Sequence, residues 1–151
     1  MSERNLRIGL IVCALVGVAV VLLRLPAIDR FRLSAYESAA VASLRNIHSA
    51  NAVFAHDHPE SGYASALGQL ASSAGVQKWA IDSALAGGQK RGYTYRYIPH
   101  LEQDGKVDAY EVFADPIKPT KYGTRHFSLD QTGTIHVSDT APASKPSNSI
   151  N

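Results

Sequence analysis

Three side chains able to hold a metal or move a proton stand together at His56-Asp57-His58. Two imidazoles and a carboxylate form a donor set that zinc accepts. A closed site needs a further ligand, and no other position of the sequence supplies one at a recognisable spacing. The plainer role is a solvated helix end, where an imidazole complements the negative pole of the helix. Asp115 and Asp130 flank a proline-rich loop and the last hairpin, and local backbone amides in turns are their ordinary partners. His126 and His136 lie on the two arms of that hairpin. A four-residue turn pairs Phe127 with His136 and sends the imidazoles to opposite faces, whereas a slip of one residue unites them. Exposure to solvent is the default for both. Arg125 has the charge to pair with an acid across the sheet, and the sequence singles none out.

Other chemistries find less support. The lone cysteine, Cys13, sits inside an apolar run, so it forms no disulfide within the chain and makes a poor nucleophile. There is no Gly-x-Ser-x-Gly elbow, and Ala86-Gly87-Gly88-Gln89-Lys90 lacks the length and the Ser or Thr of a phosphate loop. Tyr93, Tyr95 and Tyr97 would stack bases or sugars if exposed, but alternate tyrosines more often form the half-buried face of a strand laid on a helix. Residues 1–56 hold six Arg against Glu3, Asp29 and Glu37, a balance of +3, and residues 57–151 hold nine Lys or Arg against ten Asp or Glu, a balance of −1. A nearly neutral head argues against nucleic acid as a partner, because that needs a basic face. Neither an enzyme nor a cofactor is expected.

The elements that position these groups begin with an apolar run at residues 8–23, IGLIVCALVGVAVVLL. Extended to residue 28 it makes about 21 residues, or about 31 Å of α-helix, the thickness of a bilayer core. A signal peptide would need a small-x-small cleavage triplet after Leu23, and the sequence there is Arg24, Leu25, Pro26, Ala27, Ile28, Asp29, so the span is read as a retained membrane anchor. Arginines on both sides leave the positive-inside rule nearly silent on orientation. Gly9, Cys13 and Gly17 recur every four residues and would let two helices approach closely. Pro26 predicts a kink at the membrane exit without a break. Over residues 35–54 there is no Gly or Pro, and Ala40, Leu44, Ile47, Ala50 or Asn51, and Phe54 recur at spacings of three and four. That makes one apolar stripe, with Glu37, Arg45 and Ser49 expected on other faces.

The period then changes. Residues 56–62 read as a loop, and residues 64–72 and 78–86 as short helices, the second closed by Gly87-Gly88. Strands follow at 93–98 and 110–114, joined by a hairpin with Asp104-Gly105 at its tip, and a second hairpin folds about Asp130-Gln131-Thr132-Gly133. Residues 115–123, with two prolines and a glycine, are excluded from the ladder. The expected organisation is a basic N-terminus (1–7), a transmembrane helix (8–28), one α+β domain (29–138) in which the helix continues to about residue 56 and packs on a four-stranded antiparallel sheet, and a disordered tail (139–151).

This pattern resembles the type IV pilins and type II secretion pseudopilins. IGLIVCALVGVAVVLLRLPAI resembles their anchor, with its proline near the membrane exit. ESAAVASLRNIHSANAVFAHDHPESGY is similar to the pattern EASAVGSLRTINTAEVTYxxxYPxxGY of one group of bacterial pilin-like proteins. IDSALAGGQKRGYTYRY continues the match, and YEVFADPIKPTKYGTRHFSLDQTGTI resembles the ending YTVxADPxxPGxxGxRHFFxDxxGxI. The likeness covers roughly residues 8–137, and its last block is the most specific. It implies a single-pass inner-membrane protein with its head on the periplasmic or extracellular side. The partners it implies are the bilayer, copies of itself or other pilin-like subunits, and assembly-platform proteins. Some pseudopilins hold calcium in the loop region of Asp115 and Asp130, but only scattered carboxylates are present there, without alternating oxygen ligands.

One departure matters. Aligned on Pro26, Arg4 stands at the Gly where prepilins are cleaved, Asn5 at the aromatic first mature residue and Gly9 at the Glu that directs registration. A carboxylate buried in a helix bundle needs a partner, and in the family that Glu can find the amino terminus of its neighbour. Gly9 offers no such pairing, so prepilin processing and the usual route of polymerisation are not expected.

Overall fold

The structure is a computed structural model that describes residues 3–71, 80–139 and 149–150, with the backbone alone given for 3–12, 14–28 and 149–150. One helix, α1 (Glu3–Asp57), runs without interruption for 55 residues. Pro26, expected to kink it, lies within its span, as do Gly9, Cys13 and Gly17. No helix among the described side chains is long and apolar enough to cross a membrane, and the side chains of the 8–23 run fall outside that description, Cys13 excepted.

The C-terminal half of α1 carries an antiparallel sheet. Its strands are β1 (Gln89–Lys90), β2 (Tyr93–Leu101), β3 (Val107–Pro116), β4 (His126–Asp130), β5 (Ile135–Ser138) and β6 (Ser149–Ile150), and they lie side by side in chain order. Four of these are the expected strands. The two-residue strands β1 and β6 extend the sheet beyond the four-stranded expectation, and β6 falls within the stretch read as a disordered tail, where it pairs with β5 through Ile135 and Ile150.

Prolines were expected to bar residues 115–123 from the ladder, yet Asp115 and Pro116 end β3, and Pro99 sits inside β2. Both prolines escape the usual penalty because their outer neighbours stop short. The ladder from β1 reaches only Thr94 and Tyr93 of β2, and the ladder from β4 reaches only Ala114 of β3. A residue with no N–H is tolerated where no strand waits to receive one.

The short helices shrink. The 64–72 segment becomes a single 3₁₀ turn at Leu67–Leu70, and of 78–86 only α2 (Ser83–Ala86) is helical among the described residues, with 72 and 78–79 outside that set. Asp82 starts α2 by accepting the Leu85 N–H at 3.1 Å, and it pairs with Lys90 at 2.5 Å. Hydrogen bonding to Lys90 lowers the Asp82 pKa.

The core is the stripe of α1 against one face of the sheet. Ala40, Leu44, Ile47 and Ala50 are buried, facing Tyr93, Tyr95, Tyr110, Val112, Ala114, Phe127, Leu129 and Ile135. The alternate tyrosines thus turn toward the helix, as the half-buried-face reading requires. Tyr97 and Tyr110 stack at 5.4 Å, with Tyr63 edge-on to Tyr110 at 5.0 Å. Fully burying a Leu or Ile side chain contributes roughly 1.5–3 kcal/mol, so this stripe, and not helix propensity, holds the second half of α1 to the head.

Candidate functional site

The groups singled out for chemistry do not converge. His56 is exposed and hydrogen-bonded at 3.1 Å only to its neighbour Asp57. His58 folds back instead. Its Nδ1 reaches the Phe54 carbonyl at 3.0 Å and its ring stacks on Phe54 at 4.3 Å, so it caps the end of α1. Asp115, expected to hold a turn, is hydrogen-bonded to His126 Nδ1 at 2.6 Å. His126 is buried, contrary to the solvent-facing default. Asp130 does hold its turn, accepting the Thr132 N–H at 2.9 Å. It lies opposite Glu111 in the β3–β4 register, four residues along β3 from Asp115, or about 13 Å at strand rise. Among the described residues no group of three His, Cys, Asp or Glu is disposed as metal ligands.

The second hairpin adopts the slipped register. Phe127 pairs with Val137 and Ser128 with His136, so the four-residue-turn pairing of Phe127 with His136 is corrected by one position. His126 and His136 therefore share a face of the sheet, displaced diagonally, since His126 is opposite Ser138.

What the fold does assemble is a set of polar ties between α1 and the sheet. Glu37, expected on a wet face, is buried at 6% exposure. Its Oε1 accepts the backbone N–H of Thr124 at 3.0 Å and of Arg125 at 3.3 Å, while Oε2 takes both Nε (2.8 Å) and Nη2 (2.6 Å) of Arg125. The acid that Arg125 finds is thus on the helix and not across the sheet. Tyr93 completes the clamp by donating its hydroxyl to the Arg125 carbonyl at 3.0 Å. Gly123 lets these groups close, because a Cβ there would lie 2.1 Å from Tyr93 Oη and 3.1 Å from Glu37 Cγ. Burial pushes the Glu37 carboxyl up, but the Thr124 amide and the Arg125 guanidinium outweigh it, and the net shift is downward. Burial pushes the Tyr93 hydroxyl strongly up, so it remains a donor.

Two further ties follow along the helix. His48 Nδ1 and the Tyr110 hydroxyl share a hydrogen bond of 2.8 Å, with Gly133 of the β4–β5 turn closing over the ring. Asn51, wholly buried, accepts the Ala64 N–H at 3.1 Å and the Tyr97 hydroxyl at 3.2 Å. Beside the first tie a groove of about 420 Å³ runs along the open flank of α1, lined by Ser38, Val41, Ala42, Arg45, Phe127 and Arg125 among others.

This arrangement binds a rod to a head. No family model matches the chain, and neither the curated proteins nor the solved structures yield a match.

The helix periodicity carries a signal for Glu37. Positions 37, 40, 44, 47 and 51 continue one 3-4-3-4 series, which puts Glu37 on the buried stripe. The Asp115–His126 pair required the β3–β4 register, and no sequence spacing encodes that.

Proposed function

We propose that this chain is a membrane-anchored, pilin-like structural or assembly component of a type IV pilus or type II secretion-like system, without enzymatic activity. The observation that carries the reading is α1 itself: a single 55-residue helix whose first half bears the apolar run and whose second half is the spine of an antiparallel sheet. The block RHFSLDQTGTI supports it further, because it supplies Arg125 to the Glu37 clamp and then forms the β4–β5 hairpin. In this reading the apolar half lies in the inner membrane, the head stands on the periplasmic or extracellular side, and the open flank of α1 meets copies of the chain or other pilin-like subunits.

A second reading is favoured by Arg4, Asn5 and Gly9, which replace the residues that direct processing and registration in the resembled family. Here the chain is a non-polymerising anchored binding module that keeps the head and the rod. Mass spectrometry of the cellular protein, with electron microscopy of sheared surface material, separates the two. Trimming near Asn5 together with filaments supports the first, and an intact Met1 or Ser2 with no filaments supports the second. Recovery of the full chain in the soluble fraction after cell breakage would overturn both.

A further inference from the structure

The underside of the head, where α1 leaves its apolar half, gathers cations that make no ion pair among the described residues. Three segments meet there. From α1 come Arg30, Arg32 and Tyr36. The β1–β2 turn brings Arg91 and Gly92, and the loop after β3 brings Lys118, Lys121 and Tyr122. Tyr36 meets Tyr122 edge-on at 5.3 Å, a Cβ on Gly92 would collide with the Tyr122 ring, and the Ile117 N–H donates to the Gly92 carbonyl at 2.9 Å. The junction is therefore built.

Arg32 lines two adjoining grooves, one shared with Asp29, Leu33, Thr120 and Lys121, the other with Ala35, Tyr36, Ala39 and Arg91. Arg30, Arg32, Arg91, Lys118 and Lys121 are all exposed, and none makes an ion pair among the described residues. Asp29 is the single acid lining these grooves. Phe31, next to Arg32 in the sequence, is 79% exposed, the most exposed of the large apolar side chains described.

The position of this cluster is what gives it meaning. Arg32 lies four residues beyond the end of the 8–28 apolar stretch, about 6 Å along the helix axis. Exposed cations and an exposed apolar ring at that height match the boundary between acyl chains and headgroups, where basic side chains meet phosphate. We propose that the underside of the head, with Arg32, Arg91 and Lys121 at its two grooves and the exposed Arg30 and Lys118 close to them in sequence, seats on the anionic headgroups of the bilayer that the N-terminal helix enters. The proposal rests on the membrane-anchor reading above and adds a lipid specificity to it. Seating would fix the tilt of the head against the membrane through several weak charge contacts, each screened by salt.

The test uses the full chain with Cys13→Ser and a fluorophore on Thr120→Cys, reconstituted in vesicles of phosphatidylcholine alone or with 30% phosphatidylglycerol, each carrying a headgroup quencher. A second label on Asp104→Cys, at the distal hairpin tip, reports the background. The expected result is at least twofold stronger quenching at position 120 in the anionic vesicles, lost in 0.5 M salt and in the Arg32→Gln, Arg91→Gln, Lys121→Gln variant, with no change at position 104. Equal quenching at position 120 in the two lipids overturns the proposal while leaving the anchor intact. A chain that floats with neither kind of vesicle overturns the anchor reading and this inference together. The salt arm needs no charge substitution in the cluster, so a misfolded charge variant leaves the result decisive.

Discussion

Glu37 and Asn51 occupy the same stripe of α1, about 21 Å apart along its axis, and perform the same geometric task with different charge. Each is buried, and each reaches across to accept a backbone N–H, from Thr124 in one case and Ala64 in the other. Glu37 sits where the half-exposed guanidinium of Arg125 can meet it, so a carboxylate is kept ionised at modest desolvation cost. No cation lies among the hydrogen-bond partners of Asn51, which are the Ala64 amide and the Tyr97 hydroxyl, and a neutral amide serves there. Charge is placed where water and a counter-ion are within reach, and is avoided where the helix is fully enclosed.

Exchanging the charge states breaks this comparison most severely at the enclosed end. Asn51→Asp puts an unpaired carboxylate at a wholly buried position, and its expected cost is about 3–5 kcal/mol, read as a fall in the urea midpoint of the full chain in detergent. A near-normal midpoint would mean that water or a cation reaches this end after all. At the other end the clamp is limited by space. Gly123→Ala drives a methyl group into Tyr93 Oη and Glu37, with an expected loss of about 1–3 kcal/mol in the same measurement and weaker amide-exchange protection at Thr124 and Arg125.

Glu37→Gln is gentler. The amide still accepts the Thr124 N–H, and a half-exposed Arg125 rehydrates, so a cost of about 1 kcal/mol at neutral pH is expected. The smallest effect is also the sharpest. Because the folded Glu37 carboxyl is held below its ordinary 4.5, its contribution is complete above about pH 4.5 and disappears as pH falls through the lower folded value. The stability gap between the natural chain and Glu37→Gln should therefore close in acid. Calorimetric scans of both proteins across pH 2–7 check this, and a gap that persists to the lowest pH would show that the ion pair is not its source.

The parts of this molecule governed by local periodicity were legible before any coordinates. The long helix, its stripe at Ala40, Leu44, Ile47 and Ala50, the inward tyrosines and the two hairpins all follow from spacings of two or three to four residues. Polar partners distant in sequence were not. Glu37 with Arg125, His48 with Tyr110 and Asp115 with His126 depend on which strand lies over which turn of α1 or beside which strand, and a one-residue register choice decides whether His126 and His136 share a face. Pro116 misled for a related reason. A proline excludes a strand only where a neighbour needs its N–H, and the extent of neighbours is a tertiary fact. Readings that concern the side chains of the N-terminal apolar run, including the anchor itself, lie outside the described side chains.

Strand order equal to chain order has a consequence for manufacture. Each strand can zip onto the one made just before it, so the sheet closes through short loops and should assemble quickly. The rod is different, because Glu37 is synthesised early and its fastener Arg125 arrives 88 residues later. Until that segment emerges the spine keeps an oily flank uncovered, and the residue that leads into β4 is the one that latches it.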